Sequence, residues 1–147
     1  MQTYKRPESA LVVIYDQYSD VLLLQRDDDA DFWQSVTGTL EDGESPIIAA
    51  YREVAEETGI ILDTREQRIQ DCHTINQYRI RSRWQYRYAP DVTFNTEYVF
   101  AVCVSTPLKI ILTEHTAFEW LSKSQAIQRA WSETNRIAIQ KFVPDVI

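Results

Sequence analysis

The spacing of apolar residues changes several times along the chain, and each change marks an element. SALVVIYD (9–16) and VLLLQR (21–26) are near-continuous β-branched or Leu-rich runs separated by QYSD, which predicts two strands joined as a hairpin. DDDADFWQ (27–34) reads as a polar loop with one bulky apolar pair, and SVTGTLEDGE (35–44) as a short strand followed by a glycine-containing loop. The period then becomes helical, with Ile47, Ala50, Tyr51, Val54 and Ala55 on one stripe. Ser45 as N-cap and Pro46 at the first helical position open this helix, and Gly59 closes it after Thr58. Alternation at 69–81, 83–89, 95–105 and 108–113 predicts further strands, followed by the segment TEHTAFEWLS (113–122). Residues 124–143 read as one helix or two consecutive ones. That order predicts an α/β (α+β) fold, a single domain over 1–147 with a mixed β-sheet sandwiched between helices.

Composition narrows the class. A chain of 147 residues, 44% hydrophobic and 12% aromatic, has the makings of one globular domain. Its apolar runs are far too short to span a bilayer, and MQTYKRPES lacks the apolar core of a secretory signal. The expectation is a cytoplasmic protein without a membrane partner. Cys72 and Cys103 lie in strand-like stretches and read as reduced core residues rather than a disulfide or a metal pair. A net charge of −7 argues against a nucleic-acid partner but admits an anionic small molecule met by local cations. No long exposed apolar stripe stands out, which favours a monomer.

One stretch works against its own stability. REVAEETG (52–59) gathers Glu53, Glu56 and Glu57 near the helix C-terminus, the negative pole of the macrodipole, where acids are disfavoured by ~0.3–1 kcal/mol each. Glu53 and Glu57 are also an i, i+4 like-charge pair. At ~100° per residue, Glu56 and Glu57 flank Glu53 by ~60° and ~40°, so all three carboxylates share a face. Clustered hard oxygens suit Mg²⁺, with Mn²⁺ as a substitute. A solvated acidic face would show the same spacing, and spacing alone leaves both readings open.

The wider pattern favours the metal. Gly38, five residues, Glu44, seven residues, then REVAEETGI (52–60) fills every fixed position of a 23-residue box. In this the chain resembles the Nudix hydrolase family. The resemblance implies a Nudix fold and a loop–helix–loop that binds divalent cations on a phosphate chain. It implies Glu53, Glu56 and Glu57 as metal ligands, joined by the Gly38 carbonyl, with Arg52 orienting the carboxylates. Glu44 either pairs with Arg52 or serves as an acid favoured at a helix N-terminus. Arg52, Glu53 and Glu57 are candidate catalytic residues, and Glu114, from a distant loop, is a further candidate ligand and base.

Flanking stretches resemble the bacterial branch of the family that cleaves dihydroneopterin triphosphate: YKRP (4–7), DFWQSVTG (31–38), RYAPDVTFNTE (87–97), TEHTAFEWL (113–121) and the WS and NR of WSETNR (131–136). The tail departs from that pattern at Ala130 and by two extra residues, so no contact is carried onto it. By this resemblance Lys5, Arg26, Thr37 and Glu114 line the substrate or metal site. Within YRIRSRWQYRY (78–88), strand geometry would put Arg79, Arg81 and Arg83 on one face, either solvated or meeting a triphosphate. Tyr78, Arg79 and Arg81 are therefore candidate substrate contacts. Trp33, Trp84, Tyr86 and Tyr88 could stack on a pterin or purine, or simply pack.

The expected activity is metal-dependent hydrolysis of dihydroneopterin triphosphate to the monophosphate and pyrophosphate, a step of folate biosynthesis. The alternatives are a nucleotide-pool enzyme acting on dATP or an oxidised purine triphosphate, and a non-catalytic sensor or adaptor. The last should have lost box carboxylates that this chain retains.

Overall fold

The run 10–15 is apolar at every position because its strand is covered on both sides. In the computed structural model, which describes residues 3–146, β1 (Glu8–Asp16) sends Ala10, Val12 and Ile14 to one face and Leu11 and Val13 to the other. β1 pairs in parallel with β6 (Phe94–Val104), and antiparallel with β4 (Val36–Thr39) and the start of β2 (Val21–Arg26). β5 (Gln70–Arg79) extends the sheet beyond β6, while β3 (Trp33–Gln34) and β7 (His115–Leu121) pair with β2. The result is a seven-stranded mixed sheet. One face carries α1 (Pro46–Thr58) through Ala49, Ala50 and Val54, and the other carries α2 (Lys123–Arg129) and α3 (Glu133–Phe142) through Ala126, Ala138 and Ile139. Burying a side chain the size of Val54 contributes roughly 2 kcal/mol, and each face holds a full apolar layer. Among the described residues no helix is long and apolar enough to cross a membrane.

Several expectations are corrected. Of the expected stripe of α1, Ile47, Ala50, Tyr51 and Val54 pack on the core, joined by Ala49, Glu57 and Thr58, while Ala55 lies one step round on the exposed side. Ser45 has extended backbone geometry and caps by position, without a side-chain bond to the helix. Trp33 and Gln34 form β3 where a loop was expected, because they complete the ladder along β2. The segment 113–122 holds β7, and of the two readings of the tail the structure shows two helices, divided at Ala130. Both cysteines are free thiols; Cys72 is half-buried and packs against the core, whereas Cys103 is exposed and is not a core residue.

Two strand expectations fail for physical reasons. Residues 82–87 form a 3₁₀ turn, closed by Trp84 N–H to the Arg81 carbonyl and Tyr88 N–H to that of Gln85. Its Trp84 packs edge-on to Phe32 and Trp131 instead of joining the sheet. The strand ends at Arg79, so Arg79, Arg81 and Arg83 do not share a strand face. At 108–113 the alternation is real, with Leu108, Ile110 and Leu112 packed on the core. The backbone there bonds to a helix end: Ile111 N–H donates to the Thr58 carbonyl at 2.7 Å. Period 2 reported which side is buried, not a ladder.

Candidate active site

The end of α1 is built for a fixed close approach. Gly59 closes the helix in the left-handed region, with φ of 74° and its N–H on the Ala55 carbonyl. A side chain there would also press on Ile111, with its Cβ 2.9 Å from the isoleucine Cβ. The 108–113 segment thus lies directly against the helix terminus, and Thr113 Oγ1 donates to the Glu56 carbonyl at 2.9 Å. This contact carries Glu114 and His115 to the carboxylates. His115 Nδ1 stands 3.8 Å from Glu57 Oε1.

Arg52 organises the acids. Its Nε and Nη2 each donate to a Glu44 carboxylate oxygen at 2.8 Å, Nη1 donates to Glu53 at 2.6 Å and Glu56 at 3.1 Å, and Nη2 reaches the Thr39 carbonyl at 3.0 Å. Of the two readings of Glu44, the structure shows the pair with Arg52. The planar fork satisfies acceptors on a loop, a strand end and the helix at once, which a lysine could not do. Opposite, a Cβ at Gly38 would collide with the Glu53 carboxyl group. That glycine lets a carboxylate lie flat on the β4 backbone.

Arg52 holds the Glu44 carboxyl down to about 2, from an ordinary 4.5. A depressed folded value means the stabilisation is present above about pH 4.5 and is lost as pH falls towards 2. Glu44→Gln is expected to cost ~1–2 kcal/mol near neutral pH. Thermal melts should show the gap between variant and parent narrowing at pH 3.

Glu57 is buried, and its carboxyl is pushed well above the ordinary range by that burial, then by the hydrogen bond and charge of Glu53. Glu57 Oε1 and His115 Nδ1 are buried without hydrogen-bond partners. Burial and the Arg26 charge lower the His115 value, which favours the neutral ring. Among the described residues no three His, Cys, Asp or Glu side chains converge as a ready-made metal cage. Arg52 draws Glu53 and Glu56 towards itself. The donor set nevertheless fits a hard cation: an unpartnered buried carboxylate oxygen beside two further carboxylates. Mg²⁺ ordinarily takes only one or two such ligands and completes its shell with water and phosphate oxygens.

A cleft of about 840 Å³ opens over these groups. Gly38, Thr37, Arg52, Glu53, Glu56 and Glu114 line it, and Glu57 lies behind them. Of the expected substrate contacts, Lys5, Arg26, Tyr78, Arg79 and Arg81 all reach the same cleft, whereas Arg83 turns away to pair with Asp29 at 3.2 Å. Trp84 and Tyr88 line it too, Trp33 packs in the second core, and Tyr86 is exposed. Burial, then the neighbouring Arg87 and Arg26, lowers the Lys5 value. Crowded cations are what an anionic ligand would relieve, on a chain that is otherwise acidic.

Sequence reasoning missed Phe32, Trp131 and the tail residues of the cleft. Phe32 and Trp131 stack at 4.5 Å with an interplanar angle of 6°, and Arg81 lies over both rings. Trp131 Nε1 donates to Gln34 Oε1 at 3.1 Å, and Gln34 Nε2 is 3.4 Å from His115 Nε2, linking the aromatic group to the carboxylates. Asn135 fixes Ser35 through two bonds of 2.8 and 2.9 Å, docking the start of α3 beside the cleft. The WS and NR of the tail were the available signal.

Comparison with known proteins agrees with this geometry. A family model for the NUDIX domain matches residues 5–145. The chain is 46% identical over 145 residues to dihydroneopterin triphosphate diphosphatase of Escherichia coli, covering 97% of this chain and 95% of that protein. It is 39% identical over 144 residues to the Haemophilus influenzae protein of the same name, covering 97% of this chain and 91% of that one. The solved structure of the E. coli dihydroneopterin triphosphate pyrophosphohydrolase superposes with a TM-score of 0.90 over 97% of this chain and 98% of that one. The chain belongs to the Nudix hydrolase family.

Proposed function

We infer that this protein is a Mg²⁺-dependent diphosphatase that cleaves dihydroneopterin triphosphate to dihydroneopterin monophosphate and pyrophosphate. The observation that carries the reading is the meeting, in one cleft, of an Arg52-ordered carboxylate group and a set of arginine and lysine side chains. Identities of 46% and 39% over nearly the full chain to diphosphatases of that name support the pterin substrate.

Glu53, Glu56, Glu57, Glu114 and the Gly38 carbonyl would hold the cation. When bound, it supplies positive charge to the phosphate oxygens and makes water more acidic. The chain's own residues do the remainder. Lys5, Arg26, Arg79 and Arg81 bind and orient the triphosphate, with guanidinium forks matched to its oxygens. Thr37 and Tyr78 line the same path. Arg52 offsets the mutual repulsion of the carboxylates and keeps them gathered at the end of the helix. Water adds to phosphorus, one phosphoanhydride bond breaks, pyrophosphate departs, and Glu114 accepts the proton released by the water.

Steady-state kinetics with dihydroneopterin triphosphate and dATP side by side tests the substrate. The pterin compound should be preferred in kcat/KM by roughly tenfold or more, the discrimination a polar ring site can supply. Equal or better turnover of dATP would mean a nucleotide-pool enzyme instead.

A further inference from the structure

The sheet face opposite α1 changes character along its length. Where α2 and α3 cover it, it is apolar: Leu11 and Val13 of β1 and Val99 and Ala101 of β6 pack with Ala138 and Ile139. Towards the cleft the same alternating positions become Ser9, Asn95 and Glu97, all buried and all lining the cleft. Tyr78 continues the floor from β5, facing Asn95 across the ladder. The floor is rigid. Asn95 Nδ2 donates to Ser9 Oγ at 2.8 Å and to Tyr78 Oη at 3.1 Å.

Glu97 is the anomaly on this floor. It is only 4% exposed, and the groups that hydrogen-bond to it are neutral: Asn76 Nδ2 at 3.3 Å, and the Thr134 side chain. Burial raises its carboxyl above the ordinary value. A buried carboxylate without a cation is costly, and glutamine would fill the same space at less cost. The mechanism has no use for it, since it lies on the sheet face away from α1.

A carboxylate presents two acceptor oxygens at a fixed separation, and its best neutral partner offers two parallel N–H donors. The 2-amino-4-oxo pyrimidine edge of a pterin does so, through the 2-amino group and the adjacent ring N–H. A 2-oxo ring places an acceptor there and would be repelled. We propose that Glu97 reads the ring of the substrate by accepting these two N–H bonds, on a floor fixed by Ser9, Asn95 and Tyr78. This inference rests on the pterin triphosphate reading and adds to it the group that recognises the ring.

Two measurements test it. The first compares 7,8-dihydroneopterin with its 2-oxo counterpart, by calorimetry and as competitive inhibitors, on the wild type and Glu97→Gln. The wild type should prefer the 2-amino ring by roughly tenfold or more, and the variant should lose that preference. The second is the kinetics of dihydroneopterin triphosphate hydrolysis, where Glu97→Gln should raise KM by a similar factor, with the loss falling on KM more than on kcat. A merely structural glutamate would lower Tm and leave the ring preference intact. If Glu97→Gln does not fold, Glu97→Asp, which withdraws the carboxylate by one methylene, should weaken the preference. Absence of any preference in the wild type, or its survival in the variant, overturns the proposal. A wild type that prefers the 2-amino ring but releases no pyrophosphate from the triphosphate would sink the parent reading and leave the ring subsite standing.

Discussion

Glu57→Gln is expected to lower kcat for triphosphate hydrolysis by about 10²–10⁴-fold, the range for loss of a positioned acid–base or charge-bearing group. It should still yield a protein that melts no lower than the parent in EDTA. Both halves follow from the burial of this side chain. Without a cation, its carboxyl is disfavoured in ionised form by burial and by Glu53, and Oε1 has no hydrogen-bond partner. A raised folded value places its stabilising contribution below about pH 4.5, and that contribution is lost as pH climbs through the raised value. Glutamine removes that loss and keeps the shape. Added Mg²⁺ should reverse the balance for the parent, because a ligand of the native state stabilises by mass action, by ~2.7 kcal/mol at a hundred times Kd. For a chain of this size that is a rise of roughly 5–10 °C in Tm. The variant should show little of it. Near-normal activity, or a lower Tm in EDTA, would make the glutamates structural.

Arg52→Lys is expected to fail in both stability and activity. The guanidinium serves Glu44, Glu53, Glu56 and the Thr39 carbonyl simultaneously. Glu44 and Glu53 are largely buried, their side chains 9% and 12% exposed. Lysine keeps the charge but not the fork, so at least one of these acceptors is left unpaired. The cost should be about 2–3 kcal/mol, below the 3–5 kcal/mol of a fully buried pair because water reaches the site. That corresponds to a fall in Tm of about 5–10 °C. Turnover should fall by more than the stability loss explains, since at temperatures where the variant is fully folded Glu53 and Glu56 are no longer held in place. A variant with parental Tm and kcat would show that Arg52 is a surface charge.

The box helix was legible because its signals are local. Pro46, Gly59 and the glutamate spacing each act within a turn or two, and the helix begins and ends where they put it. The doubly buried strand β1 was legible for a similar reason, since a short run apolar at every position suits a strand covered on both faces. What escaped was set by distant partners. Trp84 left the expected strand for a ring cluster with Phe32 and Trp131. Residues 108–113 used their alternation against the core and their backbone against α1. The box also could not reveal that Glu57 lies behind its neighbours beside His115, because that geometry depends on where the 108–113 segment docks. Glu97 closes the RYAPDVTFNTE stretch, but nothing in that stretch told which way its side chain faces. In a strand an inward glutamate and an outward one differ only by register.

The most direct test of the metal-dependent diphosphatase reading is the identity of the phosphorus products formed from dihydroneopterin triphosphate. Phosphorus NMR of a reaction with Mg²⁺ should show pyrophosphate and the pterin monophosphate in equal amounts, and no products in a matched reaction with excess EDTA. Inorganic phosphate as the first product, or equal turnover in EDTA, would contradict the reading.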